Sequence, residues 1–390
     1  MAQQGGSPEA GDGKMIPYGR HIIDDEDIAE VVRVLRSDWL TTGPAVQEFE
    51  KRISEYTGAA HAVAVSSGTA ALHAAMHALE IGPGDEVIVP PITFAASANC
   101  VVYMGGTPVF ADVDPNTLLI DPAEVEKKIT PATKAVVAVD YAGQTCDYDK
   151  LKDICEKHGA TLVGDCCHAL GARDEHGRMA GTMADISILS FHPVKHITTG
   201  EGGMTLTENP VLAERMRIFR NHGINLDASA RSKKCTWVYE MQDLGYNYRI
   251  TDIQCALGTS QLRKLDGFLK KRRELAALYD NIFAGEQEIE PLRVRDGVEH
   301  AYHLYVVRVP ARKREKVFEK MRADGVGVNV HYIPVHYHPY YRKTFNTGEE
   351  LCPAAESAYE KLLTLPLHPA MKPEDIDYIC DRLKQSLKDS

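Results

Sequence analysis

The sequence predicts an α/β fold: a large domain with a mixed, mostly parallel sheet flanked by helices, followed by a smaller C-terminal α/β domain. Short apolar runs such as Ala135–Val139 and Thr161–Val163 alternate with amphipathic stretches of helical length, a pattern typical of βαβ units. The chain of 390 residues is long enough for two domains of unequal size. We predict a disordered tail over 1–14, a large domain over 15–265 and a small domain over 266–390.

The elements of the first half alternate between helix and strand, as this fold requires. The acidic run Asp24–Asp27 marks a helix start, because carboxylates are stabilised at a helix N-terminus, and Gly58 marks the end of the second helix. Uninterrupted apolar runs bounded by turn residues indicate buried strands. The predicted helices cover 28–35, 49–58, 70–79, a stretch from residue 95, 122–129 and 148–158, and the strands cover 62–65, 85–94, 109–113, 135–139 and 161–163.

The second half completes the large domain and forms the small one. The predicted strands of the large domain are 186–189 and 204–207, and its helices are 211–219 and 253–265, with an irregular stretch over 221–243. A long amphipathic helix then runs through Ala284. The small domain is predicted to contain strands over 302–309 and 326–332 and helices over 314–323 and 373–387.

The composition argues against several classes of function. There are 44 basic against 55 acidic residues, a net charge of −11, and no basic patch stands out, so we expect no nucleic-acid partner. No run of about 18 apolar residues occurs, so we expect no membrane span. Nine cysteines without a framework spacing indicate reduced thiols and a cytoplasmic protein. Residues 1–14 lack the apolar centre of a signal peptide.

One lysine lies in an unusual setting. Lys195 follows a buried strand and precedes the glycine-rich turn Gly200–Gly203. A lysine held in this way suits Schiff-base chemistry, although a lone lysine on a loop can be an ordinary surface residue. Thr69, Phe94 and Asp165 also lie just beyond predicted strand ends. Because ligands of parallel sheets bind at that edge, we expect these four residues to converge.

Together these residues meet the needs of pyridoxal 5′-phosphate. This cofactor requires a lysine for its aldehyde, a carboxylate beside its pyridine nitrogen, a phosphate cup and a flat group against its ring. Lys195, Asp165 and Phe94 supply the first, second and fourth. The turn Ser66–Thr69, before a predicted helix, offers N–H groups and hydroxyls for the phosphate, and Ser190 can add another hydroxyl.

Each of these residues has a simpler interpretation when taken alone. The turn Ser66–Thr69 could be an ordinary helix cap, as could Asp165, and Phe94 could be a core residue. Their joint occurrence in this order favours the cofactor.

Two clusters could instead indicate a metal site. Cys166–His168 combines three ligand types, but adjacent residues at a strand end point in different directions, so one ion cannot easily bind all three. His192 and His196 have the zinc spacing of a helix, which Pro193 argues against. We therefore predict no metal.

In these segments the chain resembles the DegT/DnrJ/EryC1/StrS sugar aminotransferases, a class of fold-type I pyridoxal-phosphate enzymes. The matching segments run in order over most of residues 16–370. They are Ser67–Ala70, Pro91–Phe94, Asp140–Gly143, Gly164–Ala172, Ser190–Lys195 with Gly200–Gly203, and Gly245–Arg249. The resemblance implies the fold of that class, its cofactor, and a homodimer whose subunits share the active site.

The resemblance also implies residue roles. Lys195 would bind the cofactor as a Schiff base and, once freed, act as the general base, and Asp165 would pair with the pyridinium nitrogen. The other implied cofactor contacts are Phe94 on the ring, His168 (where many relatives carry glutamine) at the 3-oxygen, Gly68, Thr69, Ala70 and Ser190 at the phosphate, and Asn247 of the partner subunit at that same phosphate. The implied substrate contacts are Tyr18, Asp38, Trp39, Leu40, Thr41, Asn329, Val330, His331 and Tyr332.

Within the class, the segments Ile16–Arg20, Ser37–Pro44 and Val330–Val335 are most similar to the aminotransferases of pseudaminic-acid biosynthesis. This implies amino transfer from L-glutamate to C4 of a UDP-4-keto-6-deoxy-N-acetylhexosamine, giving UDP-4-amino-4,6-dideoxy-N-acetyl-β-L-altrosamine.

Three alternatives stay open. One is an aminotransferase for another nucleotide-linked ketosugar, either a D-configured UDP-sugar or a dTDP-sugar. Another is a sugar dehydratase, in which histidine would replace Lys195. The third is a non-catalytic cofactor-binding regulator, which would need a DNA-binding or partner module. The sequence alone does not decide the nucleotide base, the sugar configuration or the ring carbon.

Overall fold

The computed structural model of the chain describes residues 15–226 and 235–390. Its larger sheet contains seven of the described strands. They are His61–Val65 (β1), Glu86–Val89 (β2), Thr107–Phe110 (β3), Thr133–Val139 (β4), Thr161–Asp165 (β5), Ile186–Ser190 (β6) and Gly203–Thr207 (β7).

The strands of this sheet lie in the order β1-β7-β6-β5-β4-β2-β3. Strand β7 is antiparallel to both of its neighbours, and the other pairs are parallel. Strands β4, β6 and β7 are almost wholly buried, as expected of a sheet covered on both faces. The mixed, mostly parallel sheet predicted from the sequence is therefore confirmed.

Helices with well-defined ends cover this sheet. In the first helix, Asp24 accepts hydrogen bonds from the backbone of Glu26 and Asp27, and Asp27 accepts one in return, which forms a capping box. Gly58 ends the second helix in the left-handed conformation, with φ of 90°. The described helices up to residue 262 are Asp25–Leu35 (α1), Pro44–Thr57 (α2), Gly68–Ala78 (α3), Ala96–Tyr103 (α4), Pro122–Lys128 (α5), Tyr148–His158 (α6), Pro210–Phe219 (α7) and Asp252–Leu262 (α8).

Helix α3 is the most deeply placed of the helices that matter for the site. It packs against β6 and β7 on one side and against α4 and α7 on the other. Its many alanines permit this, since small side chains let a helix lie close to a sheet. Ser67 caps it, and the Ser67 Oγ accepts a hydrogen bond from Ala70 N at 3.0 Å. The start of α3 is thus fixed beside the carboxyl end of β1.

A second, antiparallel sheet forms from the C-terminal part of the chain. Its strands are Glu290–Pro291 (β8), Tyr305–Arg308 (β9) and Leu362–Leu365 (β10), in the order β10-β9-β8. Its helices are Leu265–Phe283 (α9), Ala311–Ala323 (α10), Pro339–Phe345 (α11), Pro353–Tyr359 (α12) and Pro373–Lys388 (α13). Helix α9 contributes Leu265 and Leu269 to the first apolar core and Leu275 to a separate second core. The domain boundary near residue 265 remains a prediction.

The strand predicted over 302–309 is shortened to β9, and the one predicted over 109–113 lies earlier, at β3. Two further predicted strands differ more from the structure. The strand predicted over 85–94 is confined to β2, since Pro90 and Pro91 follow it and cannot donate to a neighbouring strand. The strand predicted over 326–332 does not form. Its backbone is instead bonded to two distant segments: Ile16 N donates to Gly325 O and Gly327 N to Ile16 O, and Asn329 exchanges two hydrogen bonds with Thr364.

Some predictions concern residues outside the described part of the chain. The tail predicted over 1–14 lies there entirely, as does the portion 227–234 of the stretch predicted to be irregular. Among the described helices, none combines the length and the apolar character needed to cross a bilayer.

Substitution Gly203→Ala tests the packing of β7 against the start of α3. An added Cβ would lie 2.3 Å from Ser67 O and 2.7 Å from Gly68 N, so the backbone must shift. We expect the urea midpoint to fall by an amount corresponding to about 1–3 kcal/mol. The matched control is Gly267→Ala within α9, where a Cβ meets nothing within 4 Å, and which should gain about 1 kcal/mol. Equal midpoints for Gly203→Ala and the unaltered protein would contradict this account.

Candidate active site

Four predicted residues lie at one edge of the large sheet. Asp165 is the last residue of β5, Phe94 and Lys195 lie on the loops that follow β2 and β6, and Gly68 begins α3 after β1. Because β7 is antiparallel, its first residue, Gly203, lies at the same edge. The parallel topology thus brings together residues far apart in the sequence.

The side chain of Lys195 is partly buried among polar groups. Its Nζ lies 3.3 Å from His303 Nε2. Burial lowers the pKa of the Lys195 ammonium group, while the acidic groups of Cys167 and Asp165 act to raise it. A lysine whose pKa is lowered in this way is a better nucleophile and base near neutral pH.

Asp165 is a buried carboxylate held in a fixed orientation. Ser97 Oγ donates to its Oδ2 at 2.7 Å, and the Ser97 hydroxyl is itself 2.8 Å from Thr93 Oγ1. The backbone N–H of Cys167 donates to Oδ1 at 3.3 Å. These contacts leave Oδ1 with acceptor capacity, so the carboxylate can bind a further donor such as a protonated ring nitrogen.

The N-terminus of α3 and the end of β6 form a small cup. A Cβ on Gly68 would lie 3.0 Å from the Cβ of Ser190 and 3.2 Å from its Oγ, so the absence of a side chain keeps the cup open. The first N–H groups of a helix have no acceptor within the helix, and at α3 these belong to Gly68, Thr69 and Ala70. Ser67 Oγ accepts from Ala70 N, which leaves two N–H groups, the helix dipole and the Ser190 hydroxyl for an anion.

An aromatic wall faces this edge of the sheet. Phe94 is 61% exposed although it lies beside the deeply buried Asp165 loop, and its ring centre is 6.2 Å from that of Tyr332. The Tyr332 hydroxyl and His168 Nε2 share a hydrogen bond of 3.1 Å. His168 is buried, which lowers the pKa of its ring well below the usual value, and its Nδ1 has no hydrogen-bond partner among the described residues.

The C-terminal part of the predicted substrate set adjoins this wall. His331 Nδ1 is 2.9 Å from Thr364 Oγ1, and its Nε2 is 3.4 Å from Asn329 Nδ2. The Tyr18 ring centre lies 5.2 Å from that of His331. Burial lowers the pKa of His331 to about 3, so this ring is neutral. Val330 lies between Asn329 and His331 in the chain, and its N–H donates to Asn329 Oδ1 at 2.8 Å.

The remaining predicted site residues lie elsewhere in a single chain. Asp38, Trp39, Leu40 and Thr41 are exposed, and this segment is bonded to the start of α8, where Asp252 N donates to Leu40 O. Asn247 is exposed and forms a bridge with Asn221. No hydrogen bond or ring contact of the described residues joins either segment to Lys195, Asp165 or Phe94.

Two residues near the predicted site were missed by sequence reasoning. Ser97 lies one helical turn beyond Phe94, so its position after the β2 loop could have indicated it. His303 lies just before β9, where no motif marks it. The Cys166–His168 run considered as a metal site is no such cluster, since no group of three His, Cys, Asp or Glu residues within 15–226 and 235–390 is arranged to hold an ion.

Pyridoxal phosphate fits the residues that are present. An exposed ring at Phe94, an unpartnered imidazole nitrogen at His168, an oriented carboxylate at Asp165 and an open cup at Gly68 match the ring face, 3-oxygen, pyridine nitrogen and phosphate of this cofactor. Lys195 lies on the adjoining loop.

Comparisons with known proteins agree with this reading. Residues 21–384 match the model of the DegT/DnrJ/EryC1/StrS aminotransferase family. The spore coat polysaccharide biosynthesis protein SpsC of Bacillus subtilis (strain 168) is 41% identical over 379 residues, which are 96% of this chain and 97% of that protein.

Solved structures are similar over nearly the whole chain. The putative sugar aminotransferase Spr1654 from Streptococcus pneumoniae, in its PMP-form, has a TM-score of 0.91 and 35% identity, covering 96% of this chain and 99% of its own. Helicobacter pylori PseC, an aminotransferase involved in the biosynthesis of pseudoaminic acid, has a TM-score of 0.90 and 32% identity, covering 97% and 100%. The predicted fold-type I architecture is thereby confirmed.

Substitution Asp165→Asn tests the carboxylate. It keeps the shape of the side chain but removes the charge that would hold a protonated ring nitrogen. We expect turnover to fall on the order of 10²-fold or more, with cofactor content measured in parallel by absorbance. The control Ser97→Ala removes one orienting hydrogen bond and should cost about tenfold. Unchanged turnover in Asp165→Asn would show that this carboxylate has no such role.

Proposed function

The chain belongs to the DegT/DnrJ/EryC1/StrS aminotransferase family, and from this membership we propose that it transfers the amino group of L-glutamate to the keto carbon of a nucleotide-linked sugar. This family uses pyridoxal phosphate, so the predicted cofactor and enzyme class are confirmed. The observation that carries the proposal is the convergence of Lys195, Asp165 and Phe94 beside the N-terminus of α3. The sugar we propose is a UDP-4-keto-6-deoxy-N-acetylhexosamine, aminated at C4.

The residues of the site would hold the cofactor in the following way. Lys195 would bind its aldehyde, and Asp165 would pair with its ring nitrogen. The Phe94 ring would lie against one face. The phosphate would bind to the cup formed by Gly68, Thr69, Ala70 and Ser190, and the unpartnered nitrogen of His168 supports a contact with the 3-oxygen.

In this proposal, Lys195 is the residue that takes up and returns the proton. When bound, pyridoxal phosphate supplies an electron sink that stabilises negative charge at the carbon carrying the amino group. In the first half-reaction, Nζ of Lys195 would take the proton from the α-carbon of glutamate. The amino group would be retained by the cofactor, water would supply the new carbonyl oxygen, and 2-oxoglutarate would leave. In the second, Nζ gives a proton to the sugar carbon that receives the amino group. Because burial lowers the pKa of Lys195, a larger fraction of its amine is unprotonated at a given pH than in an exposed lysine, and that fraction can accept a proton.

Two likenesses bear on which sugar is used. Similarity to PseC over 97% of the chain supports a UDP-linked 4-ketosugar of the pseudaminic-acid pathway. A second candidate is an aminotransferase for another nucleotide ketosugar, because the chain is also 41% identical to SpsC, a protein of spore coat polysaccharide biosynthesis. The half-buried Tyr18, whose ring lies 5.2 Å from that of the fixed His331, would supply part of the surface that distinguishes such sugars.

A homodimer with shared sites is part of the proposal. Trp237 is 86% exposed and Leu244 70% exposed, and apolar side chains of this size on a surface are typical of an interface. Asn247 lies in the same segment, and no hydrogen bond of the described residues joins it to the cup of its own chain. These features support a partner subunit that receives Asn247 at its phosphate site.

Substrate preference tests the function directly. With L-glutamate as donor, we expect kcat/KM for UDP-4-keto-6-deoxy-N-acetyl-β-L-altrosamine to exceed that for the D-configured UDP-sugar and for dTDP-4-ketosugars by about 10²-fold, measured by 2-oxoglutarate release. Lys195→Ala is the control and should abolish turnover of every substrate. Preference for a dTDP-sugar would favour the second candidate, and no turnover of any ketosugar would contradict the proposed function.

Subunit complementation tests the shared site. Lys195→Ala removes the base, and Asn247→Asp places a negative charge facing the phosphate, so each variant alone should be nearly inactive. If Asn247 completes the partner's site, a hybrid dimer has one intact site. About half of the dimers in an equimolar mixture are hybrids after subunit exchange, so the mixture should regain about a quarter of wild-type activity. Activity that stays at the mean of the two parents would contradict a shared site.

A further inference from the structure

His303 occupies a position to which the proposed mechanism gives no task. It lies just before β9, at the inner end of the small sheet, and is only 4% exposed. Its Nε2 is 3.3 Å from Lys195 Nζ, and among the described residues it is the side chain hydrogen-bonded to that amine. The lysine on the large sheet is thereby connected to the small sheet.

The surroundings of His303 keep its ring neutral. The ring centres of His168 and His196 lie 4.3 Å and 5.7 Å away, and the Arg272 guanidinium donates to the His303 carbonyl at 3.4 Å. Burial, together with the positive charge of Lys195, lowers the pKa of His303 well below its usual value. A positively charged imidazole so close to an ammonium group would be repelled by it.

The direction of the hydrogen bond follows from this charge state. When Lys195 is an ammonium group it can only donate, so Nε2 of the neutral ring then accepts and Nδ1 carries the ring proton. His303 Nδ1 has no hydrogen-bond partner among the described residues. The ring therefore offers Lys195 one acceptor and no negative charge.

A carboxylate in the same place would act differently. Asp165 and Cys167 are the acidic groups that face Lys195. The Asp165 carboxylate favours the protonated amine, whereas burial raises the pKa of the Cys167 thiol well above its usual value, so that thiol is neutral. Neither has a hydrogen bond to Nζ in the described part of the chain. A charged acceptor at position 303 would stabilise the ammonium form further, whereas the imidazole orients the amine without doing so.

We propose that His303 is a positioning residue that accepts a hydrogen bond from the Lys195 amine and holds it beside the reacting carbon while it is free between the two half-reactions. A lysine amine sits on a flexible four-carbon stem, and a misplaced base loses much of its effect. This inference rests on the proposed function.

Three variants at this position separate charge, hydrogen bonding and packing. His303→Gln keeps a neutral hydrogen-bond acceptor. His303→Glu places a side chain of similar size to glutamine, but with a negative charge, at the same position. His303→Phe keeps a flat ring without an acceptor. The control is His300→Gln, a buried histidine three residues earlier that accepts from Tyr302 N and has no contact with Lys195.

The first readout is the rate at which the cofactor-free protein captures pyridoxal phosphate. This rate is measured by visible absorbance at a series of pH values. Only the unprotonated amine attacks the aldehyde, so the capture rate falls below the pKa of Lys195. A raised pKa moves that fall to higher pH. We expect the midpoint of His303→Glu to lie about 1 pH unit or more above that of His303→Gln, and His300→Gln to leave it unmoved.

Steady-state kinetics of the loaded enzyme are the second readout. We expect kcat of His303→Phe to fall on the order of 10²-fold, with KM for glutamate nearly unchanged, and His303→Gln to recover to within about tenfold of wild type. Equal capture midpoints for the Glu and Gln variants, or a normal kcat in His303→Phe, would overturn the inference. Lower melting temperatures without any shift of midpoint would indicate a structural role and also overturn it. Failure of the unaltered protein to capture the cofactor through Lys195 would instead contradict the proposed function.

Discussion

The close contact between the backbone of Gly203 and that of Ser67 is the constraint on which the site geometry depends. Strand β7 enters the sheet between β1 and β6 in the opposite direction to both. Its first residue therefore lies against the turn that begins α3. Since Lys195 precedes this residue on the same loop, the lysine and the phosphate cup are fixed relative to each other by main chain. Such a frame is stiffer than one held by side chains, because the backbone has fewer soft torsions.

The buried histidines of the site can form hydrogen bonds without adding positive charge. Burial lowers the pKa values of His168, His303 and His331, so each imidazole is a neutral donor and acceptor. The charges left at the reacting edge are those of Lys195 and Asp165. The helix dipole and backbone N–H groups of α3 would stabilise the negative charge of the cofactor phosphate, as is common for phosphate sites at helix starts. A neutral surrounding leaves the lysine free to change its protonation state.

The sequence allowed the sheet and much of the site to be predicted, because both rest on local signals. Lys195, Asp165 and Phe94 each follow an apolar strand, and the edge where such strands end is known from topology alone. Ser97 and His303 act through partners that lie 68 and 108 residues away, and no local pattern marks such a pairing. Residues 326–332 have strand-like composition, but their hydrogen bonds go to Ile16 and Thr364, which only the folded chain reveals. The positions proposed to act across a dimer, such as Asn247, could be inferred only from the resemblance.

The N-terminal segment has a consequence for how the protein is made. Ile16 bonds to Gly325 and Gly327, and Leu367 N donates to Tyr18 O at 3.1 Å. A ribosome releases residues 16–18 first and their partners near the end of translation, so this segment must wait, unpaired, for most of synthesis. Tyr18 is then seated beside His331 only after the last helices emerge. A nascent chain that stalls before residue 367 therefore carries Lys195 and Asp165 but lacks the Leu367 N–H that donates to Tyr18 O.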